Sequence, residues 1–92
     1  MRKEITKKKG HGYHITKIDK GVIGESSKIL EEVNELIDAE KQGSEVMALV
    51  ELADIIGAVK HYLLKHHCGK TLADLEKMAD ITKRAFDNGH RH

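Results

Sequence analysis

The segment from Ser44 to His66 reads SEVMALVELADIIGAVKHYLLKH and decides the fold. At about 100° per residue, its apolar side chains cover almost the whole circumference of a helix. Glu51 and Asp54 interrupt this surface, and their i, i+3 spacing places both carboxylates on one helical face. A helix that is apolar all round is normally buried, so we expect both acids to lie at least partly inside. Because unpaired buried charges are costly, either cations neutralise them or this face lines a wet pocket.

An amphipathic helix is predicted before this segment, over roughly residues 24–41. Its apolar side chains recur at i, i+3, i+4 and i+7, and Ser26 or Ser27 can cap its start. Gly43 occupies the position where glycine commonly ends a helix. Ser44 can then cap the next helix, so the connection is very short and the two helices should form an antiparallel hairpin.

A third helix is predicted from Leu72 to about Asp87. Thr71 with Asp74 three residues later resembles a capping box. The fold class expected is therefore all-α: an antiparallel hairpin plus a third helix, assembling into helical bundles across subunits. One domain over residues 21–92 follows a basic arm over residues 1–20, in which residues 13–18 are expected to form a short extended piece.

Composition limits the classes of function. The 92 residues are 34% charged and lack proline, and no apolar run reaches the roughly 18 to 20 residues that span a bilayer. The net charge of +1 gives no overall field that would attract nucleic acid. The single cysteine, Cys68, excludes an intramolecular disulfide, and the basic start is not followed by an apolar segment. We therefore expect a cytoplasmic protein with no membrane or nucleic-acid partner.

Acidic residues on the first helix lie off its apolar stripe, at Glu31, Glu32 and Glu35. If the hairpin brings them opposite Glu51 and Asp54, up to five carboxylates converge. Carboxylate oxygens are the ligands that hard divalent cations prefer, and Mg²⁺ takes one or two of them plus waters and substrate phosphates. No histidine has helical spacing to these acids, so a Glu-x-x-His di-iron arrangement is not supported and binding through oxygen alone is expected. The alternative for the first-helix acids is a solvated face.

Two acidic motifs carry a family resemblance. Residues 31–35 read EEVNE and residues 51–54 read ELAD, which resembles the EExxE…ExxD pattern of the MazG-like all-α nucleoside triphosphate pyrophosphatases. The likeness extends over roughly residues 21–91, including ELADIIGA at 51–58 and TKRAF at 82–86. It is strongest to the short single-domain forms carried by bacteriophages.

The resemblance implies a hydrolase that requires Mg²⁺, for which Mn²⁺ can substitute. Such an enzyme cleaves a nucleoside or deoxynucleoside triphosphate between the α and β phosphates, releasing the monophosphate and pyrophosphate. Family members act as homo-oligomers, as dimers or tetramers. By carry-over the metal ligands are Glu32, Glu35, Glu51 and Asp54. The catalytic set is Glu31, Glu32 and Glu35, with Glu31 as a further ligand or as the group that positions the attacking water.

Basic side chains should meet the leaving pyrophosphate, because an all-carboxylate site cannot hold a triphosphate alone. The candidates are Lys28, Lys60, Lys83, Arg84 and Arg91, and the resemblance favours the last three. We retain Lys28, Lys83, Arg84 and Arg91 as the predicted substrate-binding residues. For each of these residues, the alternative to substrate binding is that it is an ordinary charged residue on the surface.

Two other functions remain open at this point. One is a phosphoribosyl-ATP pyrophosphohydrolase-like enzyme, which shares the all-α fold and the metal chemistry. The other is a non-catalytic helical module that oligomerises through the central helix, with the acids as surface charge.

Overall fold

Three α-helices form the described part of the chain. A computed structural model describes residues 14–87, with side chains through residue 83, and this part contains no strand. Helix α1 is Ser26–Gln42, α2 is Glu45–His66 and α3 is Leu72–Asp87. The predicted all-α class is confirmed, and each helix begins and ends within two residues of its predicted bounds. None of these helices is both long and apolar enough to cross a bilayer.

The hairpin between α1 and α2 is closed by a tight backbone reversal. Gly43 has φ 73°, its N–H donates to the Glu40 carbonyl, and the Ser44 N–H donates to the Ala39 carbonyl. These two bonds satisfy carbonyls at the end of α1, and glycine adopts the required left-handed conformation at little cost. The Ser44 hydroxyl accepts a 3.2 Å hydrogen bond from the Met47 N–H, which confirms Ser44 as the N-cap of α2. The connection between α1 and α2 therefore consists of Gly43 and Ser44 alone.

The start of α1 differs from the prediction. Glu25, not Ser26 or Ser27, occupies the N-cap position, and its side chain makes no capping hydrogen bond. The Ser27 hydroxyl instead accepts a 3.0 Å hydrogen bond from the Val22 N–H, because the preceding loop folds back over the first turn of the helix. Glu25 forms an ion pair with Lys65, which ties the start of α1 to the end of α2.

The predicted capping box at the start of α3 is confirmed. The Asp74 N–H donates to the Thr71 hydroxyl at 3.3 Å, and the Thr71 N–H donates to the Asp74 carboxylate at 2.8 Å. Helix α3 contacts α2 but not α1. Its apolar side chains Met78 and Ile81 are 59% and 56% exposed. The single chain therefore leaves much of the α3 apolar face uncovered.

The interior of the hairpin is small and unusually acidic. Few apolar side chains are buried, whereas Glu31, Glu32, Asp38 and Glu51 all are. The expectation that α2 is buried all round does not hold within one chain, and Asp54 is exposed. The side of α2 that points away from Glu51 carries apolar side chains that are 45% to 73% exposed. We call this set the outer α2 face, and it consists of Val46, Leu49, Val50, Ile56 and Leu64.

Residues 14–20 of the predicted arm contact the hairpin, whereas residues 1–13 lie outside the described part. Asp38 accepts hydrogen bonds from the backbone N–H groups of Ile15 and Thr16 and from the Thr16 hydroxyl. Ile18 is buried. The extended piece predicted here is not a strand in residues 14–18, because a helix carboxylate, not a neighbouring strand, takes these backbone donors.

The loop before α1 should tolerate no side chain at residue 21. A Cβ on Gly21 would collide with the backbone carbonyl of Ser27, and the Gly21 N–H donates a 2.8 Å hydrogen bond to Glu31 Oε1. We expect Gly21→Ala to lower the free energy of unfolding by about 1–3 kcal/mol, as overpacking typically does. Urea denaturation followed by circular dichroism measures this change. The control is Gly69→Ala, since a Cβ at Gly69 meets open space; equal losses in the two variants would contradict the expectation.

Candidate metal centre

Four carboxylates converge between α1 and α2. One oxygen from each lies within 4.8 Å of the others, and they come from Glu32 and Glu35 on α1 and from Glu51 and Asp54 on α2. The structure thus brings together the four residues predicted as metal ligands. Glu51 is fully buried, Glu32 is buried, Glu35 is half-buried, and Asp54 lies exposed at the rim. The hairpin therefore presents a cluster that is closed on one side and open on the other.

The electrostatics of this cluster are unfavourable without a cation. Burial raises the pKa of Glu35 to about 8, with further contributions from the nearby Glu51 and Glu32 carboxylates. Glu32 Oε2 lies 3.1 Å from Lys28 Nζ, but Glu32 Oε1 is buried and has no hydrogen-bond partner. Buried polar atoms are nearly always partnered, so this oxygen is an exception that a bound cation would explain.

Glu31 lies outside this cluster. Its Oε1 accepts the Gly21 N–H, and its Oε2 lies 3.2 Å from Lys28 Nζ and 3.9 Å from Lys20 Nζ. Burial alone would raise the pKa of Glu31, but these partners outweigh it and hold the pKa below its usual range. Glu31 therefore anchors the loop before α1 in this structure, and its role in positioning water stays a prediction.

The predicted substrate-binding residues are spread over the molecule. Lys28 is beside the cluster, and its pKa is raised because the attraction of Glu32 and Glu31 exceeds the opposing effect of burial. Lys83 is exposed on α3, which does not contact α1 within one chain. The side chain of Arg84 and the whole of Arg91 lie outside the described part. Of the two predicted substrate-binding side chains that the structure describes, Lys28 therefore adjoins the carboxylates and Lys83 does not.

A pocket of about 220 Å³ adjoins the carboxylates. Its lining residues are the acids Glu32 and Asp54, the nitrogen-bearing Lys28 and His61, and Ile23, Ala53, Gly57 and Ala58. A larger pocket of about 530 Å³ lies at the corner between α2 and α3, and none of its lining residues is acidic. The smaller pocket is the candidate ligand site, because it alone of these two combines carboxylates with cationic groups.

Sequence reasoning missed His14 as a neighbour of the cluster. Its Nε2 lies 3.5 Å from Glu51 Oε2 and 3.7 Å from Glu35 Oε1, and its side chain is 9% exposed. Its other ring nitrogen, Nδ1, lies 2.9 Å from Asp38 Oδ2. His14 comes from a loop segment with no periodicity, so no spacing rule could have placed it here.

Asp38 was missed as well, although it lies one helical turn after Glu35. Burial alone would raise its pKa, but hydrogen bonds from Thr16, Gln42 and the Ile15 N–H lower it to about 2. Asp38 is therefore an ionised carboxylate held by donors from both the loop segment and its own helix. The i, i+3 spacing to Glu35 was the one signal in the sequence.

The donor set fits a hard divalent cation. Mg²⁺ and Mn²⁺ prefer oxygen ligands, and Mg²⁺ usually keeps several waters in addition to one or two carboxylates. Four convergent carboxylates exceed what one such ion requires, so the cluster has the capacity for more than one.

The pH dependence of the free energy of unfolding should report the cost of ionising Glu35 in the cluster. The folded-state pKa of Glu35, about 8, lies above its unfolded value near 4.5. The native state thus binds more protons between these values, so stability falls as the pH rises from about 4.5 to 8. In EDTA, we expect Glu35→Gln to raise the melting temperature at pH 8 and to change it little at pH 4.5. Thermal unfolding by circular dichroism measures this, with the exposed Glu40→Gln on the same helix as control. A wild type that is no less stable than Glu35→Gln at pH 8 would contradict the assignment.

Comparison with protein families, curated proteins and solved structures finds no match to this chain. The resemblance to the MazG-like enzymes therefore depends on the two acidic motifs and the residues around them.

Proposed function

We propose that the chain is a Mg²⁺-dependent nucleoside triphosphate pyrophosphohydrolase, which converts a nucleoside or deoxynucleoside triphosphate to the monophosphate and pyrophosphate. The observation that carries the proposal is the convergence of Glu32, Glu35, Glu51 and Asp54, one of which, Glu32, has a buried oxygen, Oε1, with no hydrogen-bond partner. The MazG-like motif pattern adds the reaction class, since the same four residues occupy its acidic positions.

The proposed mechanism assigns binding and positioning to the chain's own residues. Bound Mg²⁺ would neutralise the phosphates and lower the pKa of a water molecule that attacks the substrate. Glu32, Glu35, Glu51 and Asp54 would hold this cation, and Glu32 and Asp54 also line the pocket. Lys28 Nζ lies 3.1 Å from Glu32 Oε2, at a place where it can also contact a phosphate oxygen. Among the described residues that line this pocket, none is a serine or a cysteine, so we assign the attack to water in a single step.

The proposed active form is a homo-oligomer, a dimer or a dimer of dimers. The outer α2 face is apolar and exposed in the single chain, and contiguous exposed apolar patches mark interaction sites. Ala53 and Gly57 lie among these side chains and allow a second helix to approach closely. Since both also line the pocket beside Asp54, a subunit on this face would border the substrate. Lys83 and Arg84 could then reach the phosphates from a neighbouring subunit.

A non-catalytic oligomerisation module is the second candidate. The exposed outer α2 face favours it, because that face requires a partner whether or not the carboxylates bind metal. The buried charges argue against it, since a purely structural hairpin would be more stable with apolar residues at Glu32 and Glu51.

The reaction gives the first test of the proposed function. With Mg²⁺, we expect the purified protein to convert at least one common NTP or dNTP to the monophosphate and pyrophosphate, with no diphosphate intermediate. Ion-exchange chromatography identifies the products, and a panel that includes phosphoribosyl-ATP separates this enzyme from the phosphoribosyl-ATP class. Orthophosphate with a nucleoside diphosphate would refute α–β cleavage, and no turnover on any substrate would favour the non-catalytic module.

Asp54→Asn provides the matched variant for this assay. It removes one anionic ligand at the exposed rim, so we expect activity to fall by about a hundredfold or more while the helix content is unchanged. The control is Asp80→Asn, which makes the same change at an exposed position of α3 outside the cluster. Full activity of Asp54→Asn with Mg²⁺ would show that the site is assigned incorrectly.

Assembly is tested by replacing an apolar side chain on the outer α2 face. We expect the wild type to have at least twice the 10.3 kDa chain mass by light scattering at micromolar concentration. Leu49→Glu places a charge in the proposed interface and should reduce this mass to a smaller species. Val22→Glu makes the same kind of change at an exposed position in the loop before α1, and its mass should stay that of the wild type. A monomeric wild type would refute the assembly.

A further inference from the structure

His14 enters the carboxylate cluster from outside the helical hairpin. Its side chain is 9% exposed, that of Glu51 is 0% exposed and that of Glu35 is 17% exposed. One ligand atom from each of these three residues lies within 4.8 Å of the other two. A buried imidazole between carboxylates is thus part of the same constellation as the predicted metal ligands, although it belongs to no acidic motif.

Asp38 orients the ring of His14. A carboxylate can only accept a hydrogen bond, so the 2.9 Å contact to Asp38 Oδ2 requires His14 Nδ1 to carry the proton and donate it. The other ring nitrogen, Nε2, then faces Glu35 and Glu51. The same Asp38 carboxylate accepts the N–H groups of Ile15 and Thr16, which hold the chain on both sides of the ring. A histidine oriented by a carboxylate on its far nitrogen is the usual arrangement at protein metal sites.

The separations at Nε2 are compatible with coordination of one cation. His14 Nε2 lies 3.5 Å from Glu51 Oε2 and 3.7 Å from Glu35 Oε1. Two ligands of one octahedral ion, each about 2.1 Å from it, lie about 3 Å apart when adjacent and about 4.2 Å apart when opposite. The observed separations fall between these values, so a single cation can contact Nε2 and both carboxylates with small side-chain movements.

We propose that His14 Nε2, Glu35 and Glu51 form a second cation site, which shares its two carboxylates with the site formed by Glu32, Glu35, Glu51 and Asp54. The inference builds on the proposed metal centre and adds to it a nitrogen ligand and a second ion. Two cations bridged by shared carboxylates are a common arrangement in enzymes that cleave phosphate bonds. The buried, unpartnered Glu32 Oε1 belongs to the adjoining site and supports a cation there.

The nitrogen ligand gives the second site its own metal preference. Imidazole suits first-row transition ions, whereas Mg²⁺ prefers ligands that are all oxygen. The His14 site therefore takes Mn²⁺ or a similar divalent transition ion in preference to Mg²⁺. The all-carboxylate site accepts either ion.

Pulsed electron paramagnetic resonance of the Mn²⁺-loaded full chain tests the proposal, because it detects a ¹⁴N nucleus bound to the metal. The measurement is made without nucleotide, so it reads the His14 site separately from the hydrolysis assay. We expect the wild type to bind two Mn²⁺ per chain with a nitrogen signal. His14→Ala should bind one Mn²⁺ and lose the signal. His14→Gln keeps an amide N–H donor for Asp38 and should give the same result, which guards against misfolding of the alanine variant.

The control is His61→Ala, because His61 lies on the other side of the cluster in the 220 Å³ pocket. We expect this variant to keep both the nitrogen signal and the second Mn²⁺. A wild type without a nitrogen signal would overturn the proposal. So would a signal that persists in folded His14→Gln, or one that disappears only in His61→Ala.

Discussion

Glu51 is removed from water between two helices, and the rest of this structure is arranged around its carboxylate. A buried anion costs several kcal/mol unless groups of opposite charge or strong donors surround it. Here its neighbours are mostly other acids, and Glu35 responds with a raised pKa. Lys28, one turn before Glu32 on α1, places its ammonium group 3.1 Å from Glu32 Oε2, and the His14 ring from the loop segment lies 3.5 Å from Glu51 Oε2. Under the proposed function, a cation bound to these carboxylates would also stabilise the hairpin.

Much of the fold could be predicted because it depends on local chemistry. Ser44, Gly43 and the pair Thr71–Asp74 act through hydrogen bonds within a few residues, and each behaves in the structure as its sequence position predicts. Ser27 does not cap α1 as predicted, because its hydroxyl accepts a hydrogen bond from the Val22 N–H in the loop that folds back over the helix. That loop path depends on Gly21 and on Glu31 ten residues later, which no capping rule considers. The burial of α2 was overestimated for the single chain, because periodicity shows that a surface is apolar but not which molecule covers it.

In the candidate site, too, the residues with regular helical spacing were predicted, and those whose contacts depend on the loop were not. The four helical carboxylates were predicted because their spacing on two paired helices is regular, so a correct hairpin is enough to bring them together. Asp38 looked like an ordinary helix acid, and its role depends on loop donors that arrive from more than twenty residues earlier in the chain. His14 could not be found by any periodic rule. Contacts made by irregular segments depend on the tertiary path, which the periodicity of a sequence does not contain.

The backbone reversal at Gly43 has a consequence for how the chain can vary. Glu35 and Glu51 lie eight residues on either side of this glycine, and Glu32 and Asp54 lie eleven residues on either side. Each of these two acids on α1 thus has a counterpart on α2 at the same number of residues from Gly43. Inserting or deleting one residue at the reversal would slide α2 by about 1.5 Å and rotate it by about 100°, which would turn its acids away from those of α1. Changes in the length of this corner should therefore be excluded wherever the acid pairs are retained.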